Sequence, residues 1–76
     1  MIRTMLRTGA RQRIREARWG KGWSQSKLAD VSGLSLRTIA TLEDDKAPSP
    51  RGQTIFAVAE ALDLDPLGLI DREVAS

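Results

Sequence analysis

The chain has 76 residues, with no cysteine and no histidine, which excludes disulfides, thiolate–zinc sites and every Ser-His catalytic arrangement. A domain this small buries only about 60% of the surface its unfolded chain exposes and rarely encloses a dry pocket, so no enzyme is expected. The formal net charge is only +2, yet residues 1–23 carry seven basic side chains against Glu16 alone, and residues 43–76 carry three basic against eight acidic groups. That division fits a basic side facing a polyanion, or a charge run that is simply solvated.

No apolar run approaches the roughly 20 residues of a membrane span. The apolar part of "MIRTMLRTGA" is too short for a signal peptide. A cytoplasmic protein is expected, with no membrane partner, no metal and no cofactor.

Helical signals run along the whole chain, and no stretch shows the strict alternation of a strand. Residues 1–10 are expected as a frayed segment or a short helix, one amphipathic turn carrying Ile2, Met5 and Leu6. A first helix spans about Arg11 to Trp19, with Ile14, Ala17 and Arg18 on one face. It stops at "WGKG", where Gly22 is free to turn left-handed.

Ser24 reads as the N-cap of a second helix over about 24–32, with Trp23 and Leu28 in the relation of a hydrophobic staple. Lys27 stands where Glu would complete a capping box. Gly33 and Leu34 follow, and Ser35 caps a third helix over about 35–44, in which Leu34 and Ile39 repeat the staple.

"DDKAPSPRG" is a loop, since Pro48 and Pro50 exclude a helix interior. A fourth helix fits "QTIFAVAEAL", with Ile55, Val58, Ala59 and Leu62 at i, i+3, i+4 and i+7. Asp65 and Pro66 start a short fifth helix that reaches about Ile70. Leu67, Leu69 and Ile70 finish the core or, where exposed, suit a symmetric dimer. The expected architecture is therefore all-α, with five helices in one domain over 11–72 and a tail at 73–76.

Helix, glycine turn, helix at this spacing is a helix-turn-helix pattern. Gly33 permits the positive φ of a tight turn, and Ala29 is small where two helices must approach. Leu28, Leu34, Ile39 and Leu42 fill the wedge between them. With those four inward, Leu36, Arg37 and Thr41 project together from the other side of the third helix, as a recognition helix requires.

"SQSKLADVSGLSLRTIATLE" resembles the helix-turn-helix of the phage repressor and Cro family, the xenobiotic-response-element type. The resemblance covers about Ile14 to Ile70, including the "AEALDLDPLGL" close. It implies a lambda-repressor-like fold and sequence-specific binding of double-stranded DNA. It also implies a transcriptional regulator, a repressor in the usual case, acting as a homodimer on a palindromic operator with the third helix in the major groove.

Carried over by position, the resemblance assigns Ser35, Leu36, Arg37 and Thr41 to base edges. It assigns Ser24, Gln25, Lys27, Lys46 and Arg51 to the DNA backbone, and Arg18 with Glu43 to a structural ion pair. Leu36 would meet a thymine methyl or stand as an ordinary exposed leucine. Trp19 and Trp23 are expected in core or cap packing rather than as stacking platforms.

The sequence departs from the family at Asp45, where glycine is common, so an aspartate in the left-handed region is expected there. Asp44 and Asp45 also bring negative charge toward the presumed DNA side. A second reading is an antitoxin-type interaction module that neutralises a toxin partner through "MIRTML" and "IDREVAS".

Overall fold

The computed structural model describes residues 2–74. Along the chain they form strand β1 (Ile2–Leu6), helices α1 (Ala10–Gly20), α2 (Gln25–Ser32), α3 (Leu36–Glu43) and α4 (Gly52–Ala61), a 3-10 turn at Pro66–Gly68, and strand β2 (Ile70–Val74).

Both ends of α2 and the start of α3 follow from residues within a turn of them. Ser24 Oγ accepts the Lys27 N–H at 3.0 Å and starts α2; Ser35 Oγ accepts the Thr38 N–H at 3.0 Å and starts α3. Each bond satisfies one of the orphan donors that every helix N-terminus carries. Gly33 closes α2 with φ 75°, and the next N–H, of Leu34, returns to Ala29 O at 3.1 Å. That conformation is cheap only for glycine, and it sets the tight turn between α2 and α3.

Ile14, Leu28, Ile39, Leu42, Ile55, Val58 and Leu69 are fully buried, with Ala29 and Ala59 small between them. Burying each large side chain contributes about 1.5–3 kcal/mol of hydrophobic stabilisation. Ile39 and Leu42 lie one turn apart, so they fix which side of α3 faces inward. Leu34 and Trp23 pack partly buried against the same core.

Three expectations are corrected. The fifth helix is only a 3-10 turn, although Asp65 Oδ1 accepts the Leu67 N–H at 3.0 Å and Pro66 stands first, as a cap and start should. Gly68 is a poor helix former, a segment this short cannot sustain an α-helix alone, and the next backbone is claimed elsewhere. The Arg7 N–H takes Leu69 O at 2.8 Å, and Ile70 enters β2.

The segment 1–10, where it is described, is likewise neither frayed nor a short helix of its own: Ile2–Leu6 is strand, and only Ala10 is helical, as the first residue of α1. Ile2–Leu6 pairs antiparallel with Ile70–Val74, placing Leu6 opposite Ile70 and Ile2 opposite Val74. The half-buried Leu6 and the buried Ile70 seat this sheet on the helical core. The expected tail at 73–76 is thus partly strand, with Glu73 and Val74 in β2; residues 75 and 76, like Met1, lie outside the described residues. The helical class stands, with four α-helices and a small added sheet among the described residues.

Candidate nucleic-acid interface

α3 divides cleanly. Ile39, Leu42 and Glu43 are buried, whereas Leu36, Arg37, Ala40 and Thr41 are exposed along the opposite side. Ala40 belongs to this face as well; helical spacing alone puts it between Leu36 and Arg37. Ser35 differs from its three companions. Its hydroxyl accepts the Thr38 N–H and donates to Thr38 Oγ1 at 2.8 Å, so its oxygen is engaged as a cap.

The third helix is locked from behind. Arg18 Nε donates to Glu43 Oε2 at 2.8 Å and Arg18 Nη2 to Glu43 Oε1 at 2.9 Å, a bidentate pair between α1 and α3. Arg18 Nη1 also donates to Trp23 O at 2.9 Å, which ties the start of the helix-turn-helix to the same guanidinium. Gln25 joins the group, its Nε2 reaching Glu43 Oε1 at 3.3 Å. The structure therefore places Gln25 half-buried against the ion pair, at the seam between α2 and α3.

Ser24, Lys27, Lys46 and Arg51 are all exposed. Ser24 spends its hydroxyl on the α2 cap. Arg51 and Arg37 border one cleft of about 320 Å³ between α3 and the start of α4, with Thr38, Thr41, Pro50 and Thr54 along its walls. A base-reading candidate and a backbone candidate are thus brought to one depression. Thr38 and Thr54 are added to the site by the fold.

Most of the described cations of the N-terminal third are engaged within the protein. Arg11 donates to the carbonyls of Thr41, Leu42, Ala47 and Pro48. Arg15 donates to Glu43 O and lies 3.5 Å from Asp45. Lys21 meets Asp63 at 2.9 Å, and Arg7 meets Asp71 at 3.1 Å. Arg11, Arg15 and Arg18 recur at helical spacing, and an acidic stretch at residues 43–45 was the available hint that they face the end of α3.

The left-handed turn expected at Asp45 is absent. Among the described residues the only non-glycine with positive φ is Asp63, and Asp44 closes α3 in an extended conformation, φ −86° and ψ 115°. The packing expected of Trp19 is also revised: it is 56% exposed, its ring centroid 5.7 Å from the Arg18 guanidinium. Trp23 is half-buried, with Lys21 Nζ at 5.2 Å from its ring. Each ring thus has a cation within reach of its π face, and Trp23 also packs against the core.

Among the described residues no group of three or more His, Cys, Asp or Glu side chains could hold a metal ion. No described helix is long and apolar enough to cross a membrane.

A helix-turn-helix family profile matches residues 14–69. The chain belongs to this family, of the Cro/C1 type, whose members are DNA-binding regulators of transcription and not enzymes. Among solved structures it is similar to the restriction-modification controller protein C.AhdI from Aeromonas hydrophila. The two are 36% identical, with a TM-score of 0.68 over 76% of this chain and 86% of that one. No curated protein matches the chain.

Proposed function

We propose that this protein is a sequence-specific repressor that binds a palindromic duplex operator as a homodimer, with α3 in the major groove. The observation that carries the reading is the two-sidedness of α3: Ile39, Leu42 and Glu43 hold it from within while Leu36, Arg37, Ala40 and Thr41 stand exposed together. Its 8 residues make a rod about 12 Å long. A major groove about 12 Å wide accepts such a helix.

Arg37 carries the main base contact, since a guanidinium can bond guanine O6 and N7 together. Leu36 and Ala40 offer methyl groups suited to thymine, and Thr41 a hydroxyl. Lys27, Lys46 and Arg51 neutralise phosphates on either side and set the register. Phe56 and Leu67, exposed and apolar, give a second copy a surface to cover. The likeness to a restriction-modification controller protein supports a regulatory role over an architectural one. The cytoplasm is the compartment in which such a regulator meets its operator.

Selection of bound duplexes from a random pool by the purified protein tests the reading. A two-fold symmetric sequence should be enriched, with half-sites about one helical turn apart. Recovery of the starting pool unchanged would reject it.

A further inference from the structure

The last four carbonyls of an α-helix have no partner inside it. A left-handed residue just past the end commonly supplies donors to them. α3 has no such residue, because Asp44 is extended. The Asp44 N–H returns to Thr41 O at 3.2 Å, and the rest of the closure comes from another helix.

Arg11 Nη1 donates to Thr41 O at 2.9 Å and to Leu42 O at 2.7 Å, and Arg11 Nη2 donates to Ala47 O at 2.9 Å and to Pro48 O at 3.1 Å. One half-buried guanidinium thus bridges the last turn of α3 and the middle of the loop that leads to α4. Arg15, one turn further along α1, takes Glu43 O. The loop completes its own fold with the Lys46 N–H on Asp44 Oδ1 at 2.9 Å and the Ala47 N–H on Asp44 O at 3.1 Å.

Only arginine suits this place. Its planar fork presents five donors in fixed directions, and charge makes each bond stronger than a neutral one. A lysine ammonium is a compact point charge and cannot span two pairs of carbonyls. The gripped carbonyls flank Lys46 on one side and precede Arg51 on the other. The loop is therefore held before any ligand arrives, which lowers the ordering cost of binding.

We propose that Arg11 is a positioning residue for DNA binding: it touches no nucleic acid, and it fixes the loop so that Lys46 and Arg51 stand ready beside α3. This inference rests on the DNA-binding reading above. It assigns to α1 arginines a role through backbone carbonyls rather than through phosphates.

The test compares wild type, Arg11→Met and Arg11→Lys as full chains, at a temperature where circular dichroism shows all of them folded. Amide hydrogen exchange is read by NMR, and affinity for the selected operator and for random duplex is read across a salt series. In Arg11→Met, exchange at the Lys46 and Ala47 amides should quicken tenfold or more while amides of α4 keep their rates. Affinity should fall about tenfold for both duplexes, with base preference unchanged and the salt slope shallower by about one phosphate, 0.9. Arg11→Lys keeps the charge and should behave like Arg11→Met; it carries the comparison if Arg11→Met does not fold.

Faster loop exchange with wild-type affinity in both variants would overturn the proposal. So would weaker binding with loop exchange unchanged, which would make Arg11 a direct DNA contact. A wild type that enriches no duplex removes the DNA reading and this proposal together. A wild type that enriches one while Arg11→Met matches it removes the proposal alone.

Discussion

Arg18 and Glu43 meet through two parallel hydrogen bonds in a site that leaves them only 8% and 5% exposed. Neither charge is stranded, because Trp23 O and the Gln25 amide take up further capacity on each partner. Removing one member alone leaves the other buried without its counter-charge, which costs about 3–5 kcal/mol. Arg18→Met and Glu43→Leu should each lower stability by that order in denaturant melts, and the double variant should lose clearly less than their sum. Strict additivity across the cycle would show that the two charges do not depend on each other.

The parts of the fold legible in the sequence are those decided within a turn of chain. Ser24, Ser35 and Gly33 act on donors and carbonyls three or four residues away, so their identity nearly determines their role. Ile39 and Leu42 are legible for the same reason, since helical spacing alone pairs them. The sheet is different. Its strands, IRTML and IDREV, are five residues each, stand at opposite ends of the described chain and lack the alternation that marks a strand.

Arg11 and Arg15 were opaque for another cause. Their partners are mostly backbone carbonyls, which carry no side-chain signature, so a run of positive charge reads as phosphate-binding until the packing is known. Asp45 belongs with them: once Arg11 and Arg15 close α3, no left-handed residue is needed after it.

Salt dependence separates the two kinds of cation. Lys46 and Lys27 are exposed and are assigned to phosphates, whereas Arg13 is exposed on α1, off the arc of Arg11, Arg15 and Arg18 that meets α3. Lys46→Ala and Lys27→Ala should each flatten the plot of log affinity against log salt by about 0.9. Arg13→Ala should leave that slope alone. An equal loss of slope for Arg13→Ala would put phosphate contacts on α1 after all.

Ser35 offers a choice between cap and base reader. Its oxygen already accepts the Thr38 N–H, and loss of such a cap costs about 1 kcal/mol. Ser35→Ala should therefore reduce stability by about that amount, and Ser35→Asp, which keeps an acceptor, should restore most of it. Sequence selection with Ser35→Ala should return the wild-type operator. A changed base at any operator position would instead make Ser35 a reader.

Arg37 and Gln25 should fail in different ways, and the structure sharpens why. Arg37 is exposed on α3 and borders the cleft shared with Arg51. Gln25 lies at the start of α2 with its amide nitrogen on Glu43 Oε1 at 3.3 Å. In the proposed function the first takes a base edge and the second a backbone phosphate beside α2, and the second also braces the ion pair. Arg37→Ala should cost about 1–3 kcal/mol at the selected operator and relax the preference at one position in each half-site. Gln25→Ala should weaken selected and random duplex alike and leave the preference as it was. It should also lower stability by about 1 kcal/mol, the typical worth of one hydrogen bond. Parallel selections with wild type and both variants at one fixed salt concentration distinguish the two. If Arg37→Ala recovers the unaltered operator at every position, bases are read by other residues of α3, and the specificity assigned to Arg37 is wrong.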